Sequence, residues 1–334
     1  MILAKIKEAL ETSTRPLFLF DDDPDGLSSF LMMYRKVREG KGIIVKTTPK
    51  IDMKFVRFVE GYLPDKVFIL DIASVEDEFI EAVNVPIVVI DHHQVQDYHG
   101  VTYYNSRMEG EPLSTSGIVY SLFKEDLWIA TVGCLSDWQL PPFIDEFAEK
   151  YPDLMGKKDI ETLLFHSPLG TLARVFSFNL KGKTSDVRKS LNTLTRIEHP
   201  DEILHQETPG GKFIWKRYLA SNTIYEQLCA EARKCVKGHL LLYEYNDDRL
   251  SLSKDLANQM LHEFPEKVVI VARRRNGQVK MSTRSKGVLL PPIVAESLKG
   301  LQGHGGGHEH ACGVVVSEDD FGEWLSRFSE LSKE

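Results

Sequence analysis

Acidic and imidazole side chains gather at four points of this sequence. Three points directly follow short apolar runs, at residues 17–20, 67–70 and 87–90, and the fourth ends the run from 128 to 136. Carboxylates crowded into one crevice repel one another unless protons or shared cations neutralise them. We therefore interpret the four points as parts of one metal centre. The side chains concerned are Asp21, Asp22, Asp23, Asp25, Asp71, Asp91, His92, His93 and Asp137.

The ligand types indicate which ions and which chemistry this centre would support. Oxygen ligands with a minority of imidazole suit Mn²⁺ or Mg²⁺ better than zinc, which favours thiolate and histidine. Two such ions, about 3.5 to 4 Å apart, can activate a water and hold both oxygens of an in-line phosphoryl displacement. The pattern therefore predicts hydrolysis of phosphoesters.

Each point has a simpler explanation when it is considered alone. The segment DDDPDG at 21–26 is typical of a turn, since Asp, Pro and Gly form turns and Asp caps helices. Asp71 alone is more often a helix cap than a ligand, and a lone buried histidine is usually a hydrogen-bonded core residue. Two histidines beside Asp91 fit that explanation less well. The convergence of four separate segments favours the metal centre.

A second distinctive stretch is GHGGGHEHACG at 303–313. Consecutive glycines let a backbone approach an anion and present its N–H groups as a nest, and imidazoles add further donors. The simpler alternative is a flexible loop that binds adventitious metal. Upstream, Arg284 ends a predicted strand, and arginine grips phosphate with a fork of donors. The combination predicts phosphate binding by Arg284, Gly305, Gly306, Gly307 and His308. The run Arg273 to Arg275 is more typical of a solvated strand edge than of a nucleic-acid track.

The apolar runs and the segments between them predict the elements that would position these residues. The runs at 17–20, 42–45, 67–70 and 87–90 are short and nearly continuous, as is typical of strands covered on both faces. Helical periodicity at 27–37 and 53–62 separates them. This alternation predicts a parallel, doubly wound sheet of the α/β class. Ligands gather at the carboxyl ends of the strands of such sheets, which is where these acids fall.

The rest of the chain predicts a helical connector and a smaller α/β domain. Helical periodicity dominates from about 143 to 237, interrupted near Pro200 and Pro209. Strands are then expected at 240–245, 268–273, 278–283 and 314–316, with helices at 255–264, 293–301 and 321–331. We expect a metal-binding catalytic domain at 1–195, a helical connector at 196–236 and a substrate-binding domain at 237–334.

Bulk composition restricts the class of protein further. A chain of 334 residues with 42% hydrophobic residues can bury the cores of two domains. The formal charge of −8 argues against a protein that coats long duplexes through basic patches. The four cysteines match neither a redox pair nor a zinc ribbon, so reduced thiols are expected. Without a leader or an apolar run of about 20 residues, the sequence predicts a soluble cytoplasmic protein with no membrane partner.

The quoted residues resemble those of a known family. FDDDPDGLSS, ILDIAS, IDHHQ and GCLSD are similar to the four motifs of the DHH phosphoesterase superfamily. MSTRS and GGGHEHACG resemble the DHH-associated domain that accompanies it in RecJ-like exonucleases, oligoribonucleases and cyclic-dinucleotide phosphodiesterases. GGGH alone also occurs in alanyl-tRNA synthetases, whereas the combination is specific and its motifs bracket most of the chain.

The resemblance implies a role for each residue. The metal ligands would be Asp23, Asp25, Asp71, His92 and Asp137, with Asp21 as a further candidate and Asp71 bridging two Mn²⁺ ions, for which Mg²⁺ could substitute. His93 would steady the scissile phosphate beside the metals. Arg284 and His308 would hold a substrate phosphate or terminal nucleotide from the second domain. The nucleophile would be a metal-activated water, so no covalent intermediate is expected.

The family contains two substrate classes, and both stay open. RecJ-like exonucleases commonly have Asp at the place of Asp21, whereas many oligoribonuclease-like members have His there. This favours a single-strand exonuclease on DNA or RNA, with 3′ to 5′ polarity, acting in DNA repair, replication or RNA turnover. The compact length favours the alternative, a phosphodiesterase or phosphatase for nano-RNA, cyclic dinucleotides or 3′-phosphorylated adenosine nucleotides.

Two other functions fit the sequence less well. A catalytically dead scaffold typically loses metal ligands, and here every expected position is occupied. An inorganic pyrophosphatase would carry a different second domain without the GGGH signature. Because the chain lacks room for the extra oligonucleotide-binding domain of bacterial RecJ, binding of long strands would rest on the two domains or on a replication or repair protein such as a helicase.

Overall fold

The structure, a computed structural model, describes residues 2–46, 50–110, 112–246 and 250–333. The chain divides into two compact units, Met1–Tyr218 and Leu219–Glu334. The boundary falls inside a long helix, within the segment predicted as a connector. No helix in the described ranges combines the length and apolar character that crossing a bilayer requires.

The first unit is built on a five-stranded parallel sheet with the order β2-β1-β4-β6-β7, beside a two-stranded sheet of β3 and β5. This confirms the predicted parallel α/β fold. The strands are β1 (Pro16–Asp21), β2 (Lys41–Val45), β3 (Lys50–Ile51), β4 (Lys66–Leu70), β5 (Ser74–Val75), β6 (Ile87–Asp91) and β7 (Thr102–Asn105).

The first unit also contains α-helices, and the last of them crosses into the second unit. They are α1 (Ile2–Glu11), α2 (Pro24–Val37), α3 (Val56–Tyr62), α4 (Asp77–Ala82), α5 (Thr115–Phe123), α6 (Leu127–Ser136), α7 (Ile144–Lys150), α8 (Ile160–His166), α9 (Pro168–Asn179), α10 (Thr184–Leu194), α11 (Asp201–Leu204) and α12 (Pro209–Ala232). Short 3₁₀ turns occur at Met53–Phe55, Ser106–Glu109 and Pro152–Leu154. The segment predicted as one helix at 53–62 is therefore a 3₁₀ turn followed by α3.

Both faces of the parallel sheet are buried, which explains why its strands are nearly continuous apolar runs. On one face, Leu17 and Leu19 of β1 belong to a cluster of buried aliphatic residues with Ile69 of β4. On the other, Phe20 stacks on Phe30 of α2 with ring centroids 4.6 Å apart. Helix α2 packs in turn against α5 and α6. The sheet is thereby fixed between two apolar layers.

The second unit contains a six-stranded mixed sheet with the order β12-β13-β11-β10-β9-β8. Among the strand pairs of the described residues in this sheet, only β9 and β10 run parallel. A 3₁₀ turn at Arg233–Cys235 leads into the sheet. Its elements are β8 (Val236–Lys237), β9 (Leu240–Asn246), α13 (Ser253–Glu263), β10 (Val268–Arg275), β11 (Gln278–Arg284), α14 (Leu290–Ser297), β12 (Gly303–His308), β13 (Ala311–Ser317) and α15 (Phe321–Leu331).

The second unit has its own core, where Trp324 and Phe328 of α15 pack with β-branched residues of the sheet. One predicted helix is displaced: 293–301 was expected, but α14 runs from Leu290 to Ser297. It begins early because Pro291 and Pro292 lie in its first turn, where a missing N–H costs nothing and the fixed φ favours the helix.

Candidate metal centre

The order of the parallel strands determines where a ligand site should lie. Counted along the chain within this sheet, the order is 2-1-3-4-5, and it reverses direction between β1 and β4. Crevices open at the carboxyl ends of strands at such a switch point. Asp21 ends β1 and Asp71 follows β4, so these acids lie on the two sides of the switch point.

Asp23 begins helix α2. Its Oδ1 accepts hydrogen bonds from the backbone N–H groups of Asp25 (3.0 Å) and Gly26 (3.1 Å), which makes it the N-cap. Gly26 is required by close approach, because a Cβ there would lie 2.8 Å from the backbone nitrogen of Asp21. The helix-cap explanation of DDDPDG is thus correct, and the same turn brings three of its carboxylates toward the switch point.

Asp25 is fully buried in the first turn of α2 and is held by the N-terminus of α5. Its carboxylate accepts hydrogen bonds from the backbone N–H groups of Thr115 (2.8 Å) and Ser116 (3.0 Å), and from the Ser116 hydroxyl. The positive end of the helix favours its charge. Burial, followed by the nearby charge of Asp137, nevertheless raises the pKa of Asp25 to about 6.

Asp71 is buried and has φ of 62°, a left-handed conformation that few non-glycine residues adopt. It caps no helix. Its Oδ1 accepts a hydrogen bond from the Thr115 hydroxyl at 3.1 Å and lies 3.2 Å from Nε2 of His92. Burial and the charge of Asp25 raise its pKa. A strained backbone and a crowded carboxylate are features that persist at functional sites.

His92 lies between two carboxylates. Its Nε2 is 3.2 Å from Asp71 and 2.9 Å from Oδ2 of Asp137, the residue that ends helix α6. Burial disfavours the charged ring, but these two carboxylates raise its pKa to about 12. Nδ1 is buried and has no hydrogen-bond partner among the described residues. His92 is therefore not an ordinary core histidine whose two nitrogens are both satisfied.

His93 is oriented by Asp91. The Asp91 carboxylate accepts from the His93 backbone N–H at 3.0 Å and lies 2.7 Å from its Nδ1, which leaves Nε2 for other partners. Burial disfavours the protonated ring, but the hydrogen bond to Asp91 and the charge of Asp71 outweigh it and raise the pKa of His93 to about 9. The ring is half-buried and lies at the rim of the centre.

The donors overlap in a way that fits two cations. Three groups have ligand atoms within 4.8 Å of one another, and Asp71 belongs to two of them, as does His92. The donor set, carboxylate oxygen with a minority of imidazole nitrogen, is what Mn²⁺ and Mg²⁺ accept. The groups are Asp71 with His92 and His93, Asp25 with His92 and Asp137, and Asp21 with Asp23 and Asp71. These groups contain all six residues predicted as metal ligands, whereas Asp22 and Asp91, which the sequence also placed at the centre, belong to none of the three.

The sequence pattern did not predict the residues that support these ligands. The Arg107 side chain donates to the backbone carbonyl of His92 at 2.6 Å, and the Asn105 amide donates to that of His93 at 3.0 Å. One supporting feature, the start of helix α5, could have been recognised from the sequence. Ser114 caps α5 in the segment STSG, a pattern typical of a helix start, and that start holds Asp25.

The residues predicted to bind phosphate lie in the second unit. Arg284 and His308 are the cross-strand neighbours of Ala311, one from each side. Arg284 is buried and donates from Nε to Asn258 at 2.7 Å and from Nη1 to its neighbour's carbonyl, and burial lowers its pKa to about 10. His308 is exposed. Their predicted role stays a prediction.

The glycine stretch corrects one expectation about local structure. The sequence predicts that Gly305, Gly306 and Gly307 present their N–H groups as a nest, but they lie in β12, an exposed edge strand paired antiparallel with β13. Only extended backbone can make this pairing, so the N–H groups do not converge on one point as in a nest. Gly307 has φ of 151°, and a Cβ there would lie 2.3 Å from a carbonyl oxygen of Ala311.

Two family models match the chain. The model for the DHH family, N-terminal domain, matches residues 18–139, and that for the DHHA1 domain matches residues 241–334. The first match includes all the candidate metal ligands, and the second includes Arg284 and the glycine strand. Among curated proteins, none matches this chain.

Solved structures share the fold at low sequence identity. RecJ from Thermus thermophilus in complex with Mn²⁺ is 16% identical with a TM-score of 0.67, and the match covers 99% of this chain but 54% of that one. This chain therefore spans about half the length of that protein. A manganese-bound exonuclease RecJ is 16% identical with a TM-score of 0.62, covering 100% and 94% of the two chains. PggH, a pGpG-specific phosphodiesterase from Vibrio cholerae, is 14% identical with a TM-score of 0.53, covering 96% and 99%.

Proposed function

Because this chain belongs to the DHH phosphoesterase superfamily and carries a C-terminal DHHA1 domain, we propose that it is a manganese-dependent phosphodiesterase that degrades single-stranded DNA or RNA. The observation that supports this most directly is the overlap of three ligand groups through Asp71 and His92. A carboxylate shared between groups is suited to bridging two cations. Two bound divalent ions would supply Lewis-acid stabilisation of the attacking and leaving oxygens of the phosphate.

Different side chains of the protein would bind the ions and the substrate phosphates. Asp21, Asp23, Asp25, Asp71, His92 and Asp137 would hold the ions. Protonated His93, fixed by Asp91, would donate from Nε2 to a non-bridging phosphate oxygen and so favour the charge that develops during displacement. In the second unit, Arg284, His308 and Gly305 to Gly307 would hold a phosphate or terminal nucleotide. Mg²⁺ would substitute for Mn²⁺ at these oxygen-rich sites.

The proposal also includes the direction of cleavage and the cellular process in which the enzyme acts. We favour cleavage from 3′ to 5′ and a cytoplasmic role in DNA repair, replication or RNA turnover, with a replication or repair protein such as a helicase as a further partner. The alternative is hydrolysis of short substrates, namely nano-RNA, cyclic dinucleotides or 3′-phosphorylated adenosine nucleotides. It is supported by the match to PggH, in which both chains are covered almost completely.

A gel assay with Mn²⁺ separates these possibilities. The substrates are 2-mers and 20-mers of DNA and RNA, labelled at the 5′ or the 3′ end. Loss of the 20-mers indicates an exonuclease, and the labelled end that persists in shortened products gives the polarity. Cleavage of the 2-mers alone supports the alternative. Asp71→Ala should abolish either activity, and the matched control is Asp77→Ala at the start of α4. Activity that survives in Asp71→Ala would refute the metal centre.

The role of the second unit has its own test. His308→Ala should raise KM several-fold and change kcat less, because a residue that holds a remote phosphate contributes binding in the ground state and the transition state alike. His304 is the matched control, since it lies on the same exposed strand but four residues away. Equal kinetics for His308→Ala and His304→Ala would exclude His308 from substrate binding.

A further inference from the structure

The second unit carries a groove that the proposed chemistry does not use. It has a volume of about 750 Å³ and lies between the start of β9, the turn that precedes β8, and helix α15. Three half-buried leucines, Leu240, Leu242 and Leu325, provide its apolar lining. The other residues along it are Lys234, Cys235, Lys237, His239, Gly322, Ser326, Ser329 and Lys333.

The rim of this groove is basic. Lys234, Lys237 and Lys333 are exposed, and no acidic side chain of the described residues pairs with them. Two arginines of the unit are instead paired with acids, Arg233 with Glu263 and Arg274 with Glu244. Three exposed ammonium groups around an apolar lining, in a chain of net charge −8, form a local exception to the charge of the whole molecule.

The groove is separate from the residues predicted to bind phosphate. It adjoins β8, one edge strand of the six-stranded sheet, whereas His308 lies on β12, the opposite edge. Five strand spacings of about 4.8 Å separate the two edges. A ligand in the groove would therefore not compete with a phosphate held by His308.

Exposed lysines attract both nucleic acids and acidic peptides, and the residues that line the groove indicate which of the two it fits. Single-stranded nucleic acid binds where aromatic rings stack on its bases, and no Phe, Tyr or Trp among the described residues lines this groove. Aliphatic side chains flanked by ammonium groups instead complement a peptide that presents apolar residues on one face and carboxylates beside them. We propose that the groove docks an acidic amphipathic segment of a partner protein.

The test selects peptides from a library of random 16-residue sequences on the full-length protein and measures their binding by fluorescence anisotropy. Selected peptides should be rich in Asp and Glu, with apolar residues at helical spacing. Gly322→Phe should weaken their binding at least 10-fold, because Gly322 lines the groove and a Cβ at this position meets nothing within 4 Å, so that a phenyl ring there would occupy the groove. Gly61→Phe is the control, since its helical position in α3 is equally open.

Variants with reversed charge provide a second test of the docking proposal. Lys234→Glu with Lys237→Glu should abolish binding of the acidic peptides, whereas Lys280→Glu on β11 should not, and hydrolysis of a dinucleotide should be unchanged in all variants. Selection of peptides without acidic character, or peptide binding that survives in Gly322→Phe, would overturn the proposal. Binding of a 20-mer oligothymidylate that is lost in the Lys234→Glu, Lys237→Glu double variant would also overturn the proposal, because the groove would then recognise nucleic acid.

Discussion

At the scale of single residues, the candidate centre depends on groups that hold the ligands as much as on the ligands themselves. Asp25 is buried and its charge is disfavoured there, yet three donors from the start of α5 converge on its carboxylate. Such outer partners orient a ligand and maintain its basicity. Ser116 supplies two of the three donors, so its hydroxyl is the contact that a substitution can remove without changing the backbone.

Ser116→Ala should weaken Mn²⁺ binding by about 10-fold, the lower end of the effect typical of groups that support metal ligands. Titration of free Mn²⁺ by electron paramagnetic resonance measures this directly, independently of catalysis. Ser121→Ala is the matched control, because Ser121 lies on the same helix and its hydroxyl donates to the carbonyl of Gly117. If both variants bind Mn²⁺ as the wild type does, Ser116 has no supporting role.

At the scale of elements, one carboxylate ties the start of the sheet together. Asp65, just before β4, accepts hydrogen bonds from the Ser13 hydroxyl (2.6 Å) and from the backbone N–H groups of Thr14 (2.8 Å) and Arg15 (2.9 Å). These residues form the turn between α1 and β1. Partial burial disfavours the charge, but the three hydrogen bonds outweigh it and lower the pKa of Asp65. The ionised side chain therefore stabilises the alignment of β1 with β4.

The sign of this shift predicts a pH dependence. A carboxyl whose pKa is lower in the folded state contributes stability above its unfolded pKa of about 3.9, and this contribution is lost as the pH falls through the folded pKa. Asp65→Asn should lower the free energy of unfolding at pH 7 by about 1 kcal/mol, a value reduced for partial exposure. At a pH below the folded pKa, the difference from wild type should disappear.

Urea unfolding at pH 7 and at acid pH provides the measurement. Asp97→Asn is the control, because Asp97 is a residue of the same unit outside this turn. A loss of equal size at both pH values would show that Asp65 acts through packing, and not through its charge.

At the scale of the whole molecule, the chain contains two units with separate cores, and the candidate metal ligands all belong to the first. A ligand that binds only the folded state stabilises the part that holds it, by about 2.7 kcal/mol at a free concentration 100 times its Kd. Loading with metal should therefore affect the two units unequally.

Amide hydrogen exchange, measured with Mn²⁺ and again with EDTA, tests whether metal stabilises the two units unequally. Protection should rise with Mn²⁺ in β1, α2, α5 and the end of α6, where the ligands and their supports lie, and should change little in β9, β10 and β11. Asp71→Ala provides the control and should show no rise in any segment. An increase confined to the six-stranded sheet would place the metal in the second unit.

The parallel sheet and the position of its acids could be predicted from the amino-acid pattern alone. Strands buried on both faces must be nearly continuous apolar runs, and a carboxylate cannot lie within such a run, so Asp21, Asp71 and Asp91 mark the strand ends in the sequence as clearly as in the structure. The aspartates of the sequence motifs could be identified for the same reason, because they directly follow apolar runs. Local pattern was less informative for β12, because glycine has no side-chain pattern and acquires a strand conformation only by pairing with β13.

Which side chains come into contact depends on the assembled fold and could not be predicted from local pattern. Thr115 and Ser116 lie 90 and 91 residues from Asp25, and the Thr115 hydroxyl reaches Asp71 across 44 residues. The order β2-β1-β4 places the two acid-bearing loops side by side, and the packing of α5 beside α2 brings a helix N-terminus to a buried carboxylate. Periodicity specifies which face of an element is buried, but it does not specify the neighbour against which that face packs, because the hydrophobic effect is non-directional. Supporting contacts therefore depend on the assembled fold.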